Sequence, residues 1–295
     1  MSQQPHQTRL NTLAALASVS VASILVLAKL WAFAVTGSLA VAATLADSGL
    51  DLMVSLFALF AIRYAALPPD DDHAFGHSSA EDLASLGQSV VILVSGGVIA
   101  GAAVSRLLSG ETEALASESA GIAVMCLAIV LTLALVAFQR GVAKRTGNKV
   151  VAADSLHYVG DLVPNIGAIL SLLAAHYFGL TAVDSVVALL AAGIMAFGAL
   201  RIGKRAVDAL MDRQAPDRTI EGIAEIVRDH PGVRGFHDLK TRMAGSQVFV
   251  TLHIELDGSQ SLHDAHEIGA ALRQAIIAAY PHADVTIHKD VWYPE

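Results

Sequence analysis

Six long apolar runs fill the first two-thirds of the chain, at about residues 10–35, 38–65, 83–108, 117–139, 152–177 and 181–203. A bilayer-spanning helix needs about 20 mostly apolar residues at 1.5 Å each, and every run is long enough. The pattern changes near residue 212. Residues 217–229 carry apolar positions at helical spacing. Two strands are predicted next, at about 235–243 and 247–256, joined by Ala244-Gly245-Ser246. In the second, Val248, Val250, Leu252, Ile254 and Leu256 face one way, and Phe249, Thr251, His253 and Glu255 the other. A helix over about 262–280 and a strand over about 283–289 complete an α-β-β-α-β order. That order fits a small two-layer domain with helices on one face of a sheet. The expected fold is therefore an α-helical membrane protein of six transmembrane helices, residues 1–211, plus a small α/β domain, residues 212–295.

Composition agrees. The 295 residues are 54% apolar and only 16% charged, with a mean hydropathy of +0.57, outside the range of ordinary soluble proteins. A net charge of −8 argues against nucleic acid as a partner. A lone cysteine, Cys126, allows neither a disulfide framework nor a thiolate cluster. The first apolar run is too long for the core of a cleaved leader, so none is expected. Arg140, Lys144, Arg145 and Lys149 cluster in a predicted loop, and Arg201, Lys204 and Arg205 follow the sixth run. The connections near 36–37 and 178–180 are uncharged and that near 109–116 is acidic. The positive-inside rule then places both termini and the 66–82 and 140–150 loops in the cytoplasm. Small residues in runs three and six (Gly96, Gly97, Gly101; Ala191, Ala192, Gly193, Gly198) suit close helix packing.

Two spacings carry the chemistry. Asp47 and Asp51 lie four apart within the second run, and His157 and Asp161 four apart within the fifth. Residues four apart share a helix face. A charged side chain at bilayer depth costs about 2.5–3.5 kcal/mol on insertion scales, so something must compensate these groups. Three carboxylates and one imidazole suit tetrahedral Zn²⁺, with Cd²⁺, Fe²⁺ or Mn²⁺ as further candidates, and the lack of Cys and Met pairs disfavours Cu⁺. Interhelical hydrogen bonding that merely holds a bundle together is the alternative reading.

These pairs, with six runs and the α-β-β-α-β tail, resemble the cation diffusion facilitator family from about residue 10 to 290, in particular its bacterial zinc and ferrous-iron efflux branch. The resemblance implies a homodimeric metal–proton antiporter in the cytoplasmic (inner) membrane, with Asp47, Asp51, His157 and Asp161 as the transport site. It implies that the tail is a cytoplasmic, metallochaperone-like (ferredoxin-like) metal-binding and dimerisation domain. The acid- and histidine-rich stretch Asp70-Asp71-Asp72-His73-Ala74-Phe75-Gly76-His77 resembles the family's loop site, with Asp70, His73 and His77 as ligands. His73 and His77 would share a face were the segment helical. In the tail, His237, His253, His266, His288 and Asp290 match a binuclear site near the contact between protomers. Two positions depart from the family. Lys289 stands between the last two ligands, where close relatives carry a polar amide. Ser79 stands where relatives carry a lysine that pairs with an acid, here Asp212. His263 and His282 receive no role.

The mechanism expected is entry of Zn²⁺ from the cytosol, alternating access, and release on protonation of the site. A metal-selective channel or a membrane metal sensor is the main rival. An intramembrane metalloenzyme would need a His-Glu-x-x-His helix, and His266-Glu267-Ile268-Gly269-Ala270 lacks its second histidine.

Overall fold

The computed structural model describes residues 3–36, 39–109, 119–162 and 183–293. These divide into one unit over Thr8–Ala206 and a second over Val207–Glu295 together with Met1–Gln7. The first unit is helical: α1 (Gln3–Thr36), α2 (Leu39–Ala65), α3 (Ser79–Ser109), α4 (Ser119–Thr146), α5 (residues 149–162) and α6 (Val183–Leu210). Among the described residues, Gln7–Val35, Ser48–Ala65, Ser79–Ser109 and Cys126–Thr146 are long and apolar enough to span a membrane. They fall on the first four predicted runs. Most of the fifth run, from residue 163 onward, lies outside the described residues.

The helical unit exposes large apolar side chains and buries several polar ones beside its apolar core. Trp31, Val98 and Phe197 are exposed, while Ser18, Ser55, Gln139, Asp154 and His157 are buried. A surface of this kind is satisfied by lipid rather than water. One expectation is corrected. Arg140, Lys144 and Arg145 are not in a loop but on the last turns of α4, which runs to Thr146. The break to α5 is only two residues long. Gly147 takes φ +70° and donates its N–H to the Ala143 carbonyl at 2.9 Å, ending α4. Asn148 then accepts the Val151 N–H at 2.9 Å and starts α5. The small-residue expectation holds in part: a methyl group on Gly96 of α3 would lie 3.6 Å from the Ala192 carbonyl of α6. A methyl group on Gly198 would lie 2.6 Å from Leu156, and one on Gly160 2.3 Å from Met195. These glycines allow α5 and α6 to approach closely. Gly97, Gly101 and Gly193 have no neighbour that close among the described residues.

The second unit holds α7 (Asp217–Arg228), β1 (Gly235–Ala244), β2 (Gln247–Leu256), α8 (Leu262–Ala279) and β3 (Ala283–Val291). The sheet order is β1-β2-β3, antiparallel and then parallel, with α8 as the crossover. Val250, Leu252, Ile254 and Leu256 of β2 meet Ile223 and Val227 of α7 and Leu272 and Ile276 of α8 in one core. Gly245, with φ +55°, makes the tight β1–β2 turn. Ser261 caps α8 in a reciprocal pair with Asp264. The helices therefore cover one face of the sheet, and the face bearing His253 stays open.

Candidate metal centres

Among the described residues, three groups of ligand-type side chains converge, each with donor atoms lying within 4.8 Å of one another. The first joins α2 to α5. His157 Nε2 lies 3.2 Å from Asp51 Oδ1 and 4.0 Å from Asp161 Oδ2. Ligand atoms around a tetrahedral Zn²⁺ stand about 3.3 Å apart, as bonds of about 2.0–2.1 Å require, so small adjustments would suffice to hold an ion. His157 is buried, and both acids are half-buried. Asp47 lies on α2 one turn before Asp51, and its side chain is outside the described residues.

Buried polar contacts support this site. Tyr158 Oη is 2.9 Å from Ser55 Oγ, which is 2.9 Å from Ser18 Oγ, so one cluster ties α1, α2 and α5 together. Gln139 of α4 donates to Asp154 at 2.6 Å. Lys29 of α1 donates to Ser48 of α2 at 2.6 Å. Sequence reasoning missed these groups, although a signal was there. Asp154 precedes His157 by three residues on the same helix face, and Lys29 is a base deep in the first apolar run.

The second group is the loop after α2. His73 Nδ1 is 3.3 Å from Asp70 Oδ1, and His77 Nε2 is 3.2 Å from Asp70 Oδ2. The segment is not helical. A turn closed by the Gly76 N–H on the His73 carbonyl at 2.9 Å, with Gly76 at φ +82°, brings the two rings to 4.6 Å. Asp70 accepts the His73 N–H at 2.7 Å. That bond chiefly, with the nearby histidines, holds its carboxyl below the ordinary carboxylate range. His77 is buried edge-on against Tyr64, while Asp70 and His73 are exposed.

The third group lies on the open face of the tail sheet. Register places His237 opposite His253 and His253 opposite His288, one histidine per strand. A β-bulge between His237 and Lys240, where Asp238 takes φ +50°, lets Phe236 and Leu239 both reach the core while His237 stays outside. Asp290 serves all three rings. Its Oδ2 is 2.8 Å from His253 Nδ1 and 3.3 Å from His237 Nε2, and its Oδ1 is 3.3 Å from His288 Nε2. A carboxylate reached from both oxygens can bridge two ions. The His253 hydrogen bond, foremost, lowers the Asp290 pKa from its ordinary value.

The donors that lie within 4.8 Å of one another are those of His237, His253 and Asp290; His288 joins only through Asp290 Oδ1, and His266, exposed on α8, is not gathered in. Lys289 points away from the ligands. Strand alternation sends it to the helix side, where its stem packs on Gly269, so its charge does not stand among the ligands as the bare sequence suggested. Asp212 accepts a hydrogen bond from Arg242 of its own chain at 3.2 Å.

Comparison with known proteins follows the same division. Residues 15–211 match the family model for the cation efflux transmembrane domain, and residues 215–291 that for the cation efflux protein cytoplasmic domain. The cation-efflux pump FieF of Pectobacterium carotovorum is 43% identical over 291 residues, covering 97% of this chain and 94% of the relative. FieF of Serratia proteamaculans is 41% identical over 292 residues, 97% of this chain and 95% of the relative. Among solved structures, the metal-bound C-terminal domain of the CzcD transporter from Thermotoga maritima is 29% identical. It covers 25% of this chain and 87% of that chain, with a TM-score of 0.25.

Proposed function

The chain belongs to the cation efflux family, as a multi-pass membrane transporter of divalent metal cations and not an enzyme, and from that premise we propose that it exports Zn²⁺ in exchange for protons. One observation carries the reading: Asp51 of α2 converges with His157 and Asp161 of α5 within a bundle of long apolar helices. Asp47 completes the quartet. One imidazole and three carboxylates match the ligand preference of Zn²⁺, with Cd²⁺, Fe²⁺ and Mn²⁺ as weaker competitors.

The cycle follows from ligand chemistry. Zn²⁺ enters from the cytosol and takes the neutral imidazole and ionised carboxylates, displacing protons. Rocking of the helices exposes the quartet to the other side. Protons arriving there fill the His157 and carboxylate lone pairs and release the ion. Moving two charges outward against 100 mV, inside negative, costs about 4.6 kcal/mol, and each incoming proton returns about half of that. Two protons per ion balance the charge.

The protein sits in the cytoplasmic membrane as a homodimer, with both termini in the cytoplasm. Asp70, His73 and His77 form an exchangeable loop site. His237, His253, His288 and Asp290 hold metal in the tail and bias the transporter, and a role for His266 there requires a second chain. The test is transport by the purified protein in liposomes containing a zinc dye and a pH dye. Zinc uptake with matched proton counterflow is expected. Equal uptake without proton movement at any imposed pH gradient overturns antiport in favour of a channel.

A further inference from the structure

Lys29 lies on the inward stripe of α1, in step with the buried Ser18, Ala22, Leu25 and Ala32. It is half-buried, within the span Gln7–Val35. Its ammonium is 2.6 Å from the hydroxyl of Ser48. Ser48 is itself buried, between Asp47 and Asp51 on α2. A cation is thus anchored to the helical turn that carries the acids of the transport site. The other buried acid of this region, Asp154, is held from α4 by Gln139.

We propose that Lys29 is a fixed counter-charge of the transport site, lowering its affinity for a divalent cation so that the ion can leave. This rests on the assignment of Asp47, Asp51, His157 and Asp161 as the metal ligands. With neutral His157, the quartet carries three negative charges. A divalent ion leaves one uncompensated, and Lys29 cancels it, so the loaded quartet with its lysine is formally neutral. A neutral assembly is the least costly to hold in a low-dielectric interior. When the ion is gone, the lysine offsets part of the repulsion among the empty acids. The ammonium also repels the bound ion, and a transport site must bind loosely enough to release. Lys29 acts through its charge and position, without touching the ion.

The experiment uses the full chain in detergent, with loop and tail sites disabled by His77→Ala and Asp290→Ala, and titrates Zn²⁺ against a fluorescent chelator. In this background Lys29→Met removes the charge and nearly keeps the side-chain volume. It is expected to bind Zn²⁺ about tenfold more tightly. Lys29→Arg keeps the charge and should bind like the parent. Ser48→Ala removes the hydrogen bond but not the charge and should fall between parent and Lys29→Met. Should Lys29→Met fail to fold, Lys29→Gln makes the same comparison. Affinity equal to or weaker than the parent in the neutral variant, or equal tightening by Lys29→Arg, overturns the proposal. Asp51→Ala is the separate control. If it leaves Zn²⁺ binding unchanged, the site assignment itself fails, whatever Lys29 does.

Discussion

The helical unit and the tail use the same ligand chemistry in opposite surroundings. In the helical unit His157 is buried beside two acids, while apolar side chains such as Phe197 face outward. In the tail the apolar side chains Leu252 and Ile254 are fully buried, and His237, His288 and their shared Asp290 lie on the open sheet face. The tail ligands can exchange water, metal and protons without any rearrangement of the fold. In the helical unit His157 is the enclosed member, and Asp51 and Asp161 are half-buried. On the function proposed above, the tail set serves metal sensing or assembly and the helical set carriage across the barrier.

The largest expected effect probes the helical set. Asp51→Ala should lower zinc transport about 100-fold or more, since losing even an outer-shell partner typically costs 10–100-fold. His253→Ala should slow transport only a few-fold. Proteoliposome uptake rates decide this, and equal losses would erase the distinction between the units.

Next, Leu252→Ala empties part of the tail core and should destabilise that domain by about 2–5 kcal/mol. Hydrogen exchange of β2 amides should rise accordingly. Protection of α2 amides should stay unchanged if the two units melt independently.

Metal addition sharpens the comparison further. Zinc at about 100 times its dissociation constant should stabilise the tail by about 2.7 kcal/mol. Chelation, or Asp290→Asn, which removes the carboxylate shared by three histidines, should abolish that gain. The readout is the zinc-dependent shift of the tail's thermal unfolding.

The smallest effect concerns pH. Burial lowers the pKa of His282 below its ordinary value, so the folded domain binds this proton less readily than the unfolded chain does. The unfolded chain therefore binds the proton first. Stability is fully present above about pH 6.5 and declines as pH falls from there through the folded-state pKa. His282→Asn should flatten that decline. Urea midpoints of the metal-free protein between pH 7.5 and 5.5 measure it, with the variant showing the smaller drop.

Much of the candidate site was legible because its signals are local. The pairs Asp47/Asp51 and His157/Asp161 are visible as helical spacings, and the alternation of β2 by itself places Leu252 and His253 on opposite faces. The bulge at Asp238 was not legible. It arises because Phe236 and Leu239 must both reach the core, which depends on α7 and α8. Nor was the turn that pairs His73 with His77, since helical spacing and a Gly76 turn bring the same residues together by different routes. Lys289 looked like an intruder among ligands until strand alternation and the Gly269 contact placed it on the far side.

The order of the amino acids alone determined which segments are apolar, which are helical or extended, and which residue types could hold a metal, because these follow from periods of two and 3.6 residues. Only the tertiary structure decided that Asp51 meets His157, 106 positions away, that three strands align one histidine each, and that Lys29 lands on Ser48. Such meetings depend on which helix faces and strand edges pack together, and packing is a property of the whole chain that no local period contains.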